Sequence, residues 1–241
     1  MNRLLRGVVF DLDGVLIDSH PLHREAWKHF LLALGRDVPD SDLDFILDGR
    51  RRDEILCYFL GNLTPSEIDL YGAKKDEMLR QLGETMQPFR GVVEFLGCLY
   101  RAGIRIALAT SASRQRAVGT LEELGLASYF EVIVTGDEVT SSKPDPAIYR
   151  LAAERLQEMP ANLLAVEDAV SGVKSAKAAG MQCMGVASAD RAERLCAAGA
   201  NPVISDFRSL SLSLLETAFR RGSSHKPGST AHHQLSGTSS A

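Results

Sequence analysis

Near the start of the chain stands the sequence Gly7-Val8-Val9-Phe10-Asp11-Leu12-Asp13-Gly14-Val15, in which a short apolar run stops at an acidic turn. A continuous apolar run of this length, bounded by turn residues, is typical of a parallel strand that is buried on both faces. In extended chain the side chains of Asp11 and Asp13 point the same way, ~6.6 Å apart. The sequence therefore predicts a buried strand that carries two carboxylates at its carboxyl end.

Later parts of the chain repeat this pattern of a short apolar run that ends in polar residues. Further strands are predicted at residues 104–109, 132–134, 163–166, 181–186 and 203–204. Helical patterns lie between them at residues 92–102, 114–124, 146–156, 170–179 and 189–198. Several of these end at a glycine, as helices commonly do. Alternating strands and helices predict an α/β fold, in which helices cover both faces of a parallel sheet.

One long segment, residues 15–88, interrupts this alternation. It contains no convincing strand, only amphipathic helical patterns at residues 21–34, 42–60 and 65–82. Because it follows the first strand directly, we expect an all-helical cap over the carboxyl edge of the sheet. The alternative is a plain helical layer. The catalytic core would comprise residues 1–14 and 89–221. Residues 222–241 have almost nothing to bury and are predicted to be a disordered tail.

The composition excludes several classes of protein. The formal net charge is −4 and the chain has no dense block of Lys and Arg, so we expect no nucleic-acid partner. No apolar run approaches the ~20 residues that cross a bilayer, and no secretory leader precedes the first strand. We therefore expect a cytoplasmic protein that does not bind membranes. Four widely spaced cysteines indicate reduced thiols in the core: Cys57, Cys98, Cys183 and Cys196.

Polar residues at the strand ends indicate phosphoryl transfer. Glu167-Asp168 follows another strand and would meet the two aspartates at the same edge. Carboxylates that share one site cannot all stay ionised without a cation, and Mg²⁺ is the natural one for oxygen ligands. Thr110-Ser111 offers a hydroxyl and backbone N–H groups ahead of a helix, which suits a phosphate. Lys143 can place an ammonium against Asp11 and the transferred group. A lone Lys-Pro would more often be a surface loop, so the inference rests on all four features in this order.

These motifs resemble those of the haloacid dehalogenase superfamily over residues 7–210. The resemblance implies a Rossmann-like core with an inserted helical cap, and a monomer. It implies a phosphoaspartyl intermediate on Asp11 and places Asp13 as general acid and then base, because an Asp at the second position marks phosphotransferases rather than dehalogenases. The other residues that it implies are Thr110 and Lys143 for catalysis, Ser111 and Ala112 for substrate binding, and Asp11, the backbone carbonyl of Asp13, Glu167 and Asp168 for Mg²⁺.

The cap segment resembles that of the β-phosphoglucomutase-like subgroup, which also contains sugar-phosphate phosphatases. By position, the substrate-binding residues implied are His23, Trp27, Arg52 and Lys75. Core packing is an equal explanation for Trp27. We favour a magnesium-dependent hydrolase of a small phosphomonoester, with sugar phosphates as the preferred class. A phosphohexomutase is the alternative. A non-catalytic binding module is more remote, because Asp13, Lys143 and Asp168 are all present.

Overall fold

The computed structural model describes residues 4–47, 50–82 and 86–222. Within these residues six strands form one parallel sheet, in the order β3-β2-β1-β4-β5-β6. The strands are β1 (Gly7–Phe10), β2 (Arg105–Thr110), β3 (Val132–Thr135), β4 (Leu163–Glu167), β5 (Gln182–Val186) and β6 (Val203–Ile204). The expected parallel sheet and α/β class are thereby confirmed, and β1 lies in the interior of the sheet.

The helices surround this sheet and also form the segment inserted after β1. In chain order they are α1 (His20–Ala33), α2 (Arg52–Leu60), α3 (Pro65–Gln81), α4 (Val92–Arg101), α5 (Arg114–Glu123), α6 (Ala147–Arg155), α7 (Val170–Ala178), α8 (Ala189–Ala198) and α9 (Leu212–Gly222). None of the helices in the described ranges is long and apolar enough to cross a membrane.

The strand β1 is apolar at every position because it separates two cores. Val8 and Phe10 belong to the apolar cluster on one face of the sheet, and Val9 belongs to the cluster on the other. Phe10 pairs in register with Leu108 of β2 and Val166 of β4. The residues that follow these three positions therefore reach the same edge of the sheet. Chain connections diverge on the two sides of β1, which is where open α/β sheets bind ligands.

Helices α1 to α3 form the insertion and have an apolar cluster of their own, which includes Trp27, Phe30 and Leu56. The two connections to the core run side by side, since Ile17 forms an antiparallel bridge with Pro88. We propose that these two adjacent connections mark the border between the cap, residues 15–88, and the core. A separate apolar cluster and a double-stranded connection are the features expected of an inserted domain.

Three expectations differ from the structure. The predicted helix at 42–60 is divided, because Asp42–Leu47 forms a 3-10 turn and Arg51 is extended (φ −76°, ψ 155°) before α2 begins. Helix α9 was not predicted. The cysteines form no disulfide among the described residues, but Cys98 and Cys196 are exposed on the outer faces of their helices, so the expectation of core thiols is wrong for these two. Gly222 ends α9, and the rest of the predicted tail, residues 223–241, lies outside the described residues.

Candidate active site

The centre of the site is a buried ion pair at the end of β1. Lys143 Nζ lies 2.6 Å from Asp11 Oδ1 and 2.6 Å from Glu167 Oε1, and it also donates to the carbonyl of Ala109 at 3.2 Å. Burial would lower the pKa of Lys143, but Asp11 and Glu167 raise it above its ordinary value. The lysine is therefore a fixed positive charge beside Asp11, as the sequence predicted.

Glu167 holds this lysine in place. The Tyr149 hydroxyl donates to Glu167 Oε1 at 2.6 Å, and the backbone N–H groups of Asp168 and Ala169 donate to Oε2 at 3.2 and 3.4 Å. Both carboxylate oxygens thus already have protein donors. Glu167 lies within the site, and its contacts favour orienting Lys143 over binding a metal ion directly.

Asp13 is surrounded by donors. Ser19 Oγ donates to Oδ1 at 2.6 Å, and Arg116 binds both carboxylate oxygens, with Nη1 3.0 Å from Oδ1. His23 Nε2 lies 3.3 Å from the same oxygen. Burial alone would raise the pKa of Asp13, but Arg116 and His23 outweigh it and hold this pKa well below its ordinary value. Asp13 is therefore a carboxylate in this structure.

Sequence reasoning missed Arg116, which lies 103 residues from Asp13 along the chain. It occupies the first turn of α5, where the helix dipole disfavours a cation. An arginine at that end favours an anionic partner, and its position in the first turn of a predicted helix was the indication available in the sequence. Tyr149, His20 and Ser19 were also missed. Ser19 and His20 lie in the cap segment that resembles the β-phosphoglucomutase-like subgroup, but no role was predicted for them, and Tyr149 lies in no motif. The partners of all three become apparent only in the fold.

Asp168 lies across the pocket from Asp13. His20 Nε2 is 3.3 Å and Arg191 Nη2 is 3.2 Å from Asp168 Oδ2. Burial and the neighbouring Glu167 raise the pKa of Asp168 to about 8. Burial also raises the pKa of Asp11, although Lys143 opposes the shift. The protein's own cations therefore leave buried negative charge at Asp11 and Asp168 incompletely balanced.

This donor set fits a hard divalent cation. In the described part of the chain, no three His, Cys, Asp or Glu side chains gather closely enough to enclose a metal ion by themselves. A site with two carboxylates and a backbone carbonyl suits Mg²⁺, which commonly keeps several waters and binds a substrate phosphate. The pKa values of Asp11 and Asp168 are raised because their negative charges are buried close to other carboxylates. A bound cation would stabilise the ionised forms and lower both pKa values.

The predicted phosphate cradle lies beside Asp11. Thr110 ends β2, and its hydroxyl oxygen accepts a hydrogen bond from the Ala112 N–H at 3.1 Å. The Gly136 N–H donates to the Ala112 carbonyl at 2.9 Å, which ties the cradle to the loop after β3. Ser113 then caps α5 through its side chain. Thr110, Ser111 and Ala112 all line the same pocket as Asp11.

The four predicted cap residues reach this pocket, a cavity of about 100 Å³ between the cap and the sheet edge. Lys75 Nζ lies 2.8 Å from His23 Nδ1 and 5.6 Å from the centre of the Trp27 ring. Burial and Arg116 lower the pKa of Lys75 to about 7, and burial and Lys75 lower that of His23 to about 4. Arg52 Nη2 binds Asp76 Oδ2 at 2.5 Å. Trp27 combines both predicted roles, since it lines the pocket and belongs to the cap's apolar cluster.

The structure thus brings together all of the site residues that the sequence predicted. From the core come Asp11, Asp13, Thr110, Ser111, Ala112, Glu167 and Asp168, with Lys143 behind them, and from the cap come His23, Trp27, Arg52 and Lys75. This pocket combines a carboxylate that can act as a nucleophile, a fixed cation, a phosphate cradle and a second, ionised aspartate. Together these groups can support transfer of a phosphoryl group.

Several known proteins are similar to this chain in sequence or in fold. The phosphorylated carbohydrates phosphatase of Thermotoga maritima is 36% identical over 181 residues, which cover 74% of this chain and 83% of that protein. The β-phosphoglucomutase of Bacillus subtilis is 33% identical over 193 residues, covering 76% of this chain and 83% of the relative. The crystal structure of CbbY from Rhodobacter sphaeroides, in complex with phosphate, matches with a TM-score of 0.78 at 29% identity and covers 88% of this chain and 100% of that chain. Residues 8–186 match the sequence model of the haloacid dehalogenase-like hydrolase family, and the chain belongs to that family.

Proposed function

We propose that this hydrolase removes phosphate from a small phosphorylated metabolite, with sugar phosphates as the favoured class, through an intermediate in which Asp11 carries the phosphoryl group. The observation that supports this best is the buried Lys143–Asp11 contact of 2.6 Å at the carboxyl end of the central strand. The Thermotoga maritima relative, named a phosphorylated carbohydrates phosphatase, supports the same substrate class.

In the first step the carboxylate of Asp11 attacks phosphorus and the substrate oxygen leaves. Lys143 provides positive charge beside the transferred group, and the Thr110 hydroxyl with the following backbone N–H groups holds its oxygens. Fixed donors of this kind lower the barrier because they need no reorganisation when the charge develops.

Asp13 serves the second step in its ionised form, which its contacts with Ser19 and Arg116 favour. As a carboxylate it can take a proton from the water that attacks phosphorylated Asp11. To donate a proton to the leaving oxygen in the first step, Asp13 must first gain one and lose part of its bond to Arg116. The acid and base roles thus call for two states of the same pair.

The residues that would hold Mg²⁺ are Asp11, Asp168 and the backbone carbonyl of Asp13, with Glu167 nearby. When bound, the cation would supply positive charge to the phosphoryl oxygens. We also propose that the active form is a monomer, as the resemblance to the β-phosphoglucomutase-like subgroup implies.

A mutase is the second candidate. Arg52 and Lys75 give the cap side of the pocket two cations, which could hold a second phosphate, and the Bacillus subtilis relative is named a β-phosphoglucomutase. A mutase would convert β-glucose 1-phosphate to glucose 6-phosphate in the presence of glucose 1,6-bisphosphate. A hydrolase would release inorganic phosphate without that activator.

The test is a magnesium-dependent screen of phosphate release over sugar and polyol phosphates, with glucose 1-phosphate isomerisation followed in parallel. Wild type should release phosphate stoichiometrically, and Asp11→Asn should not, although its shape is kept. Efficient isomerisation with negligible phosphate release would overturn the hydrolase in favour of the mutase. Substantial activity in Asp11→Asn would overturn both.

A further inference from the structure

The first turn of α2, residues 51–54, touches the core outside the pocket. Arg51 Nη1 donates to the carbonyl of Val139 at 2.7 Å, and the Ser142 hydroxyl donates to Glu54 Oε1. The two contacts join one turn of the cap to the two ends of a single core segment, residues 139–142. The pocket is lined by other described residues, so the side chains of Arg51, Glu54 and Ser142 do not need to touch the substrate.

That core segment leads directly into Lys143. Ser142 precedes the lysine whose Nζ lies 2.6 Å from Asp11 and from Glu167. On its other side the segment continues from the loop after β3, where Gly136 N donates to Ala112 O at 2.9 Å and the Arg114 N–H donates to Asp137 Oδ2 at 2.6 Å. A shift of this segment would therefore disturb both the lysine and the phosphate cradle.

The Glu54 side chain has a physical reason to keep its contact with Ser142. Its Oε2 is buried and has no hydrogen-bond partner among the described residues, and Arg50 Nη1 lies 3.9 Å from it. Its Oε1 is satisfied by the Ser142 hydroxyl, which makes a charge-assisted bond. The Glu54 side chain is only partly buried, and this charge-assisted bond favours the cap position that keeps it.

We propose that Glu54 and Ser142 form a positioning pair that places Lys143 for phosphoryl transfer when the cap is seated on the core, with Arg51 holding the other end of the segment. The pair acts through Lys143 and not on the substrate. This inference rests on the proposed function, because it assigns the pair a part in the same reaction.

The test compares Glu54→Ala, Ser142→Ala and the double variant with wild type, using a phosphomonoester that wild type hydrolyses. Each single variant should lose about tenfold in kcat, the rate equivalent of one hydrogen bond to a charged group, with KM little changed. The double variant should be no worse than either single one, since both remove the same contact. Glu54→Gln should recover most of the rate, because its amide oxygen can accept from Ser142.

Two matched controls separate this effect from surface change. Ser141 is exposed beside Ser142, and Glu77 on α3 pairs with Arg80 on the cap surface. Ser141→Ala and Glu77→Ala should keep the wild-type kcat. A wild-type kcat in both Glu54→Ala and Ser142→Ala would overturn the proposal, as would additive losses in the double variant.

Hydrogen exchange gives a reading that does not depend on activity. In Glu54→Ala the backbone amides of residues 139–143 should exchange faster than in wild type, although they lie far from residue 54 in sequence. Unchanged exchange would contradict the coupling. If wild type releases no phosphate from any phosphomonoester, the proposed function fails, and the exchange measurement still decides whether the pair fixes this segment. If Glu54→Ala does not fold, Ser142→Ala and Glu54→Gln carry the test.

Discussion

Asp13 is held by side chains from two distant parts of the chain, Arg116 of α5 and His23 of α1. Arg116 donates to both carboxylate oxygens of Asp13. This geometry holds the orientation of the carboxylate and stabilises its negative charge. These contacts favour the ionised form of Asp13, which is the form that would accept a proton in the proposed second step. This arrangement ties the second step of the proposed reaction to the charge on Arg116.

Removal of that charge should move the pH dependence of the second step. In Arg116→Ala the pKa of Asp13 should rise, because the positive charge that counteracts the effect of burial on this pKa is lost. The ionised fraction then falls at acid pH, so the acid limb of kcat should shift to higher pH. p-Nitrophenyl phosphate is the suitable substrate, since its leaving group needs no proton and water attack on the intermediate can limit kcat.

Arg114→Ala is the matched control for this measurement. Arg114 is exposed at the start of α5, with its side chain toward Glu138 rather than Asp13. The control should keep the wild-type profile. An unshifted acid limb in Arg116→Ala would show that Asp13 is not the group that titrates there.

At this scale, residues in strand-end motifs could be predicted from the sequence, whereas most of the side chains that contact them could not. Asp11, Asp13 and Lys143 could be predicted because a buried apolar run or a short motif marks each of them. Tyr149 could not, because in the sequence it is one apolar residue on a helix face. Its hydroxyl contacts Glu167 only because α6 and β4 pack together.

At the scale of elements, the close approach of α7 to β4 places Glu167. Gly172 permits this approach, because a Cβ there would lie 2.0 Å from the Glu167 carboxyl. Glu167 in turn orients Lys143. One glycine on α7 is thereby connected to the charge at the catalytic centre.

Gly172→Ala should therefore destabilise the fold and weaken activity together. Overpacking of this kind costs ~1–3 kcal/mol, and here the clash is with a side chain that has fixed partners. Gly119 in α5 is the control, because nothing lies within 4 Å of a Cβ built there. Gly119→Ala should stabilise the helix by ~0.5–1 kcal/mol. Urea unfolding of both variants tests this, and equal stability of Gly172→Ala and wild type would contradict the packing argument.

The strands were the most predictable elements, since each predicted strand lies within about a residue of an observed one. The segment at 42–60 was less predictable. Its apolar residues continue at helical spacing, but the chain turns at Arg51 so that the first turn of α2 meets the core at Val139. A contact with so distant a residue has no counterpart in local periodicity. Helix α9 was not predicted, although Leu215 and Phe219 stand at helical spacing in the sequence; the structure buries both.

At the scale of the whole molecule, the fold concentrates buried acidic groups at one edge of the sheet. The pKa of Asp11 and of Asp168 is raised in the folded protein, that of Asp168 to about 8. In the unfolded chain both titrate near ~3.9. Between these values the two groups bind more protons in the folded state than in the unfolded chain, so their contribution to stability falls as pH rises through this window and levels off above it.

Magnesium should offset this loss, because it binds the ionised carboxylates. The rise in Tm on adding Mg²⁺ should be larger at about pH 8.5 than at about pH 6, where protons compete for Asp168. Asp168→Asn should abolish most of the rise at both values. Differential scanning calorimetry measures these Tm values without any substrate. If Mg²⁺ does not change the wild-type Tm at either pH, the proposal that this site binds the metal is wrong.

The nucleophile can be identified by trapping the intermediate. Wild type mixed with a phosphomonoester and Mg²⁺, then quenched in borohydride, should contain homoserine at position 11, because hydride reduces an acyl phosphate but not a free carboxylate. Peptide mass spectrometry would locate the change, and substrate-free enzyme and Asp11→Asn should both lack it. Homoserine at position 11 alone is the result that we predict. Rapid turnover with an unmodified Asp11 peptide, or with the modification at another carboxylate, would contradict the assignment of Asp11 as the nucleophile.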